Sequence, residues 1–429
     1  MKLLYKIANK ACCRTFCVLF MVALCGVPLH LMAQNNVNSP YTRYGYGRLQ
    51  DIGFSRSQSM GGAAYALRTR TSMNPANPAS NSSIDSTSFL FEFGASALLT
   101  SYASGDDQAT TFTGNLEYLA FQLPITRWMG LSVGVLPYSF VGYNYGFTDS
   151  TSTAVTQTHT FRGSGGINQV YIGLAGTIWK RFSLGVNVYY MFGSIENTRL
   201  LTVSVPNVAT VYPTTQYTTT RVQNVNLRYG FQYHETIGRH NFCLGFVYDH
   251  ISKLYGTYEM QTVGADTISA NTSELFDLPS LYGAGVSYTY DNKLTIAFDY
   301  TLQEFAKARY YGKTDSLVNR QKFSLGAEYI YRPYGNRYVD RMRWRLGASY
   351  ANSYFKLYDA AQQQYVGTRD ISITCGVGFP LRTTKTMVNI NLEYGNIGVA
   401  LKNKLQENYF KIGINLTLNE MWFFKQRIQ

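Results

Sequence analysis

Segments of about ten residues with strictly alternating apolar and polar side chains recur along this chain, the mark of strands with two different faces. Near the C-terminus Phe410, Ile412, Ile414, Leu416 and Leu418 alternate with Lys411, Gly413, Asn415 and Thr417. Val388, Ile390, Leu392 and Tyr394 do the same, as do Leu294, Ile296, Phe298 and Tyr300. So do Phe323, Leu325, Ala327 and Tyr329; Trp344, Leu346 and Ala348; and Phe182, Leu184, Val186, Val188 and Tyr190. One half-buried soluble sheet would give one or two such runs. This many favour a closed sheet with a polar inside and an apolar outside.

Composition agrees. Aromatics make up 15% and charges 15% of the 429 residues, whereas soluble proteins carry about 25% charge. Tyr, Phe and Gly are heavily used; the rings suit a membrane interface. Mean hydropathy is slightly negative, which argues against a bundle of apolar helices. Lys2, Lys6, Lys10 and Arg14 precede an apolar stretch over residues 16–31, and Leu31-Met32-Ala33 before Gln34 reads as a cleavage site. Beyond it no apolar run approaches the ~18 residues of a transmembrane helix. An exported chain without such a helix spans a membrane only as a closed barrel. The competing reading, an uncleaved anchor holding a soluble domain, conflicts with the alternation. A lipoprotein reading of Cys25 conflicts with Leu24 before it.

The expected fold is therefore all-β: a transmembrane antiparallel β-barrel. Short turns are expected near Arg127, at 180–181, 238–241, 291–293, 334–340 and 382–386. Longer loops are expected at 104–111, 148–159, 206–216, 264–274, 311–318, 359–364 and 400–407. That gives about 14 strands with both ends on the periplasmic side of an outer membrane. The division is a signal peptide at 1–33, a plug at 34–86, a barrel at 87–420 and a tail at 421–429. The plug does not alternate and is rich in Gly, Ser, Asn and Pro. Its apolar and small residues 60–67 would be wasted on solvent.

Other function classes find little support. The net charge of +13 comes from scattered Lys and Arg that suit barrel rims facing lipid headgroups, and no nucleic-acid motif is present. Cys243 and Cys375 alone survive the leader and make neither a disulfide framework nor a metal site. His159, His234, His240 and His250 show no metal spacing, and no cofactor is implied. A membrane esterase using His234 or His250 is the enzyme alternative; it lacks a nucleophile elbow. Trp422, Phe423 and Phe424, followed by Lys425 and Arg427, read as an interfacial anchor and an assembly signal.

The plug carries a family resemblance. Arg56-Ser57-Gln58-Ser59-Met60-Gly61-Gly62-Ala63-Ala64-Tyr65-Ala66 is followed by Asn74-Pro75-Ala76 and then Asn77-Pro78-Ala79. This resembles the N-terminal hatch of FadL-type outer-membrane transporters, in which a Ser/Gly/Ala-rich segment precedes Asn-Pro-Ala before the first strand. The resemblance implies a fourteen-stranded barrel, a hatch in the lumen and hydrophobic, fatty-acid-like cargo that leaves sideways at an inward kink in the third strand. Gly134, Pro137 and Gly142 in the third strand are then the candidate lateral gate; Pro breaks the ladder and Gly weakens it. The bland alternative is a rim bulge. Two departures are Leu67-Arg68, where family hatches often carry acids, and short third and fourth outer loops at 206–216 and 264–274.

Inward charges are expected at Glu92, Glu117, Asp249, Asp299, Glu328 and Glu393, with Arg228, Arg345 and Lys411 as counter-charges. Their roles divide between salt bridges that pack the plug and, for Arg345 and Lys411, contact with a carboxylate cargo. Two functions follow from the resemblance: passage of hydrophobic small molecules across the outer membrane, or a PorV-like docking or shuttle role with a secretion-system protein. Outer-membrane lipid is the expected surroundings in both.

Overall fold

The computed structural model describes residues 37–421, apart from 106, 153–154, 206–212, 264–267, 315–316, 334, 360–362, 382–384 and 400–404. The leader at 1–33 and the aromatic tail from Trp422 lie outside the described residues. No described helix is long and apolar enough to cross a membrane.

Fourteen antiparallel strands close on themselves. They are β1 (Ser88–Ser104), β2 (Asp107–Pro124), β3 (Met129–Ser152), β4 (Val155–Ile178), β5 (Phe182–Ser204), β6 (Thr214–Ile237) and β7 (His240–Asp249). The second half is β8 (Leu281–Tyr290), β9 (Leu294–Gln303), β10 (Arg320–Ile330), β11 (Arg343–Asn352), β12 (Arg369–Pro380), β13 (Met387–Gly398) and β14 (Gln406–Met421). β14 pairs β1 from Gln406↔Ala103 to Met421↔Ser88, which seals the cylinder.

The alternation decides the faces. On β9, Ile296 and Phe298 point out while Thr295, Ala297 and Asp299 are buried. On β10, Phe323, Leu325 and Tyr329 point out while Lys322, Ser324 and Glu328 are buried. Facing lipid, the outer side chains keep an apolar solvent, and a Lys or Arg placed there near the midplane costs roughly 2–4 kcal/mol.

One end of the barrel has tight turns. Trp179 and Lys180 between β4 and β5, and Asp291 and Asn292 between β8 and β9, take positive φ, the geometry that reverses a twisted hairpin. The other end is uneven. β3 to β6 run 23 or 24 residues each, against 10 for β7, β8 and β9. Two expected loops are therefore strand. Ser104 pairs Asp107 and Ser152 pairs Val155, so 104–111 and 148–159 are hairpin tips. Their Thr residues are β-branched and keep the period of two, which a polar composition hides. The fourth outer loop is long, not short. It runs from Asp249 to Leu281 and adds a ribbon, Tyr255–Thr262 with Ile268–Asn271, to the raised half of β6.

Candidate functional site

Residues 37–87 occupy the lumen, and the wall meets them with charge. Arg56 of this plug donates to Glu328 Oε1 at 2.8 Å, and Arg345 Nε of β11 donates to Glu328 Oε2 at 2.7 Å. Arg343 stands 3.7 Å from the same carboxylate. Asp299 Oδ2 accepts the backbone N–H groups of Ala64 and Tyr65 at 2.5 and 2.7 Å. Glu92 accepts that of Met73 at 2.7 Å. Asp51 of the plug pairs with Lys322. Lys411 pairs with Glu117 at 2.9 Å, and Arg228 forks onto Asp249 at 2.7 and 2.6 Å. Glu393 accepts from the Tyr409 hydroxyl at 2.9 Å. Arg345 and Lys411 are thus both committed to carboxylates of the protein. Such buried pairs are strongly destabilising to break, because the survivor is left uncompensated.

The doubled motif ties the plug to itself. Asn74 Nδ2 donates to the carbonyls of Ala64 and Leu67 at 2.7 and 2.9 Å. Asn77 Oδ1 accepts from Ala79 N at 3.1 Å, capping the short helix Pro78–Ser83, while its Nδ2 reaches Tyr65 O at 2.7 Å and Phe231 O of β6 at 3.1 Å. Pro75 O accepts from Asn187 of β5 at 3.0 Å, and Ala76 O takes a 3.5 Å contact from Arg228. Gly61 and Gly62 both have positive φ. Gly61 N–H donates to Thr374 Oγ1 at 2.8 Å.

The third strand departs from regular pairing. β3 pairs β2 only from Gly130↔Pro124 to Val135↔Leu119. Among the described residues the seam is unpaired beyond that point. A register shift at Pro137/Ser139 marks a bulge in β3, and the β1–β2 register shifts at Gly94/Ala95, skipping Glu117. The freed edge of β3 is taken by the plug instead. Arg48 and Leu49 pair with Phe140 and Ser139. Gln50 N–H donates to Tyr138 O at 2.9 Å, and Ser39 N–H to Gly142 O at 2.7 Å. Thr42 Oγ1 also donates to Gly142 O at 2.9 Å.

Of the candidate gate residues, Pro137 lies at the bulge, Gly142 binds the plug, and Gly134 sits inside the part still paired to β2, opposite Ala120. The glycines that permit the bend were missed. They are Gly165 and Gly166 of β4, with φ of 109° and 152°. A Cβ at Gly166 would stand 2.4 Å from Ser139 O. Two adjacent glycines inside a strand pattern were the available signal.

At the loop end Tyr46 stacks edge-on with Tyr310 and Phe276, while Phe305 stacks on Tyr354, closing an aromatic lid over the lumen. Beside it a cleft of about 330 Å³ is lined by Tyr44, Tyr143, Phe161, Arg43 and Arg199, with Arg43 3.8 Å above the Phe161 ring. The four histidines lie apart. His234 meets Ser183 Oγ at 3.3 Å, and Ser183 is fully buried. Among the described residues no group of His, Cys, Asp and Glu is placed to hold a metal.

Solved structures share this architecture. The monoaromatic hydrocarbon channel CymD is 15% identical, with a TM-score of 0.57 over 88% of this chain and all of that one. The toluene transporter TodX of Pseudomonas putida is 14% identical, with a TM-score of 0.58 over 88% of this chain and all of that one. The toluene transporter TbuX of Ralstonia pickettii is 15% identical, with a TM-score of 0.55 over 86% and 99%. At such identities the likeness is one of fold. No curated protein matches the sequence. The BamG family model matches residues 14–429, nearly the whole chain, and on that ground the protein belongs to the BamG family.

Proposed function

We propose that this barrel sits in the outer membrane and passes hydrophobic small molecules, fatty-acid-like or monoaromatic, releasing them sideways through the β2/β3 seam. The observation that carries the reading is the unpaired seam. β2 and β3 part beyond Leu119 and Val135, and plug residues 39–50 hold the freed edge of β3. A straight path down the lumen is unfavourable for apolar cargo, because it crosses Glu328, Arg345, Asp299 and their partners. A sideways path delivers the cargo to hydrocarbon, where burial of apolar surface is worth about 25 cal/mol per Å². The aromatic cleft by Tyr143 and Phe161 suits the capture step, and Pro137 with Gly165 and Gly166 forms the gate. The two sheet-fold neighbours named as toluene transporters support the cargo class.

The test is a reversible lock. Leu49→Cys with Ser139→Cys joins register partners across the plug and β3, in a Cys375→Ser background because Cys375 is exposed. Uptake of toluene and of a long-chain fatty acid is expected to stop on oxidation and return on reduction. Equal uptake in both states overturns the lateral route. Unchanged uptake in a full deletion overturns transport.

A second reading, a PorV-like docking or shuttle component for a secreted protein, has one observation in its favour. The cavities between the plug and the wall around Asp51 are only about 90 and 80 Å³ and are lined by charges, including Lys322 and Arg320. They offer no apolar chamber. A stoichiometric protein that co-purifies from crosslinked cells, with uptake unaffected by the lock, supports this reading over transport.

A further inference from the structure

At the short-turn end, below the plug, a cavity of about 1040 Å³ opens between the barrel turns. Its wall is rich in hydroxyls and cations. Hydroxyl and amide groups such as Thr69, Ser82, Thr177, Thr289 and Asn292 predominate, and six cations face three acids. The three acids are already engaged. Glu328 holds Arg56, Arg343 and Arg345. Asp85 holds Arg70 and Lys385, and Glu235 holds Arg181. Among the described residues Arg68, Arg127 and Lys180 have no carboxylate partner.

Arg68 is the telling one. It belongs to the plug and is mostly buried, yet its contacts are all to neutral acceptors. They are Ala79 O at 3.3 Å, Ser82 Oγ at 3.1 Å, Gln232 Oε1 at 3.4 Å and Thr177 Oγ1 at 3.2 Å. Each is longer than a charge-assisted bond, which runs at about 2.7–2.9 Å. The plug and lumen arginines Arg56, Arg228 and Arg345 by contrast reach carboxylates at 2.8, 2.6 and 2.7 Å. A buried cation without a counter-charge is costly. Burial pulls the Arg68 guanidinium down to about 10, with Arg70 nearby acting in the same direction.

We infer that this vestibule is an oxyanion site, in which Arg68 binds a phosphate or carboxylate group with Arg127 and Lys180 at its rim. The fork of a guanidinium matches two oxygens of such a group, and the hydroxyl-lined wall satisfies the rest. The hydroxyls and cations that face the cavity favour a soluble oxyanion or a headgroup entering from the membrane surface. The site stands apart from the seam and does not depend on lateral release.

The experiment titrates inorganic phosphate, and separately acetate, into the purified full-length mature barrel in non-ionic detergent, followed by calorimetry. Saturable binding of phosphate near one per chain is expected. R68Q is expected to weaken it at least tenfold, R68K to keep part of it, and R127Q or K180Q to weaken it a few-fold. R70Q, whose cation is already paired with Asp85, is expected to stay within twofold. The melting temperature and heat-modifiable migration of each variant are measured beside it, so that loss of binding is separated from loss of fold. Displacement of phosphate by short-chain phosphatidylglycerol assigns the headgroup as the source; displacement by acetate alone assigns a soluble oxyanion. Absence of saturable binding, or R68Q binding as tightly as the parent, overturns the site.

Discussion

Residues 56–79 and residues 39–50 of the plug are held to one wall by different chemistry. The first stretch is tied by buried charge: Arg56 to Glu328, and Ala64 and Tyr65 to Asp299. The second is tied by a short ladder to β3, through Arg48, Leu49, Gln50 and Ser39, with side-chain contacts beside it from Ser39 to Glu407 and from Arg48 over the Tyr409 ring. Removing one member of a buried ion pair costs about 3–5 kcal/mol, while a single hydrogen bond contributes about 0.5–1.5 kcal/mol net. The difference separates an anchor from a latch. The latch takes the freed edge of β3, while Phe54, Ser55 and Gln58 meet β2 at Tyr118 and Glu117.

Four measurements break or sharpen that contrast. Glu328→Ala leaves Arg56, Arg343 and Arg345 facing one another and is expected to destabilise the folded barrel by about 3–5 kcal/mol, read as a lowered thermal transition. An unchanged transition would remove the anchor from the argument. Gly166→Val places a Cβ against Ser139 O at a φ that L-residues rarely adopt, at a cost of about 1–3 kcal/mol. Hydrogen exchange at the Ser39 and Gln50 amides is expected to accelerate while Ala64 and Tyr65 stay protected. Equal acceleration at all four would mean the plug moves as one piece.

Asn77→Ala loses the cap on Pro78–Ser83 and the bonds to Tyr65 and Phe231, and is expected to cost about 1–2 kcal/mol, again with the latch undisturbed. The smallest effect is one of pH. Burial acts to raise the Asp51 carboxyl, but Lys322, followed by Arg320, outweighs it and holds the group below its ordinary value. A depressed carboxyl contributes its stability above the unfolded value and loses it as pH falls through the folded one. The Asp51 contribution to proteolytic protection of the 48–51 stretch is thus expected to be lost as pH falls below about 4. Lys322→Met removes the largest influence opposing burial and is expected to shrink or abolish that loss.

Much of the frame was legible because its signals are local. A period of two marks strands wherever one face meets lipid, so the fourteen strands could be counted from runs such as 410–418 and 294–300. The bend at Pro137 was legible because proline cannot donate to a ladder. What escaped was set by pairing across distance. Nothing near Glu328 announces Arg56, which is 272 positions away. Gly165 and Gly166 matter only because β4 lies against the bulge in β3. The hairpin tips at 104–111 and 148–159 read as loops because Thr, Ser and Asp are common to loops and to strands that stand in water. Arg68 was noticed as a departure from acidic hatches, but its lack of a counter-charge emerges only when every neighbouring carboxylate has been placed.

The uneven rim has a consequence for approach. At roughly 3.3 Å per residue and a tilt near 40°, strands of 24 residues rise about 60 Å and strands of 10 about 25 Å. A bilayer of uniform thickness hides only the lower part of the tall side. The barrel therefore resembles a pipe cut on the slant, with β3 to β6 as an upright screen and the mouth turned toward β7 to β13. Whatever arrives in a crowded layer above the lipid is shielded on one flank and admitted from the other, so the molecule has a front and a back.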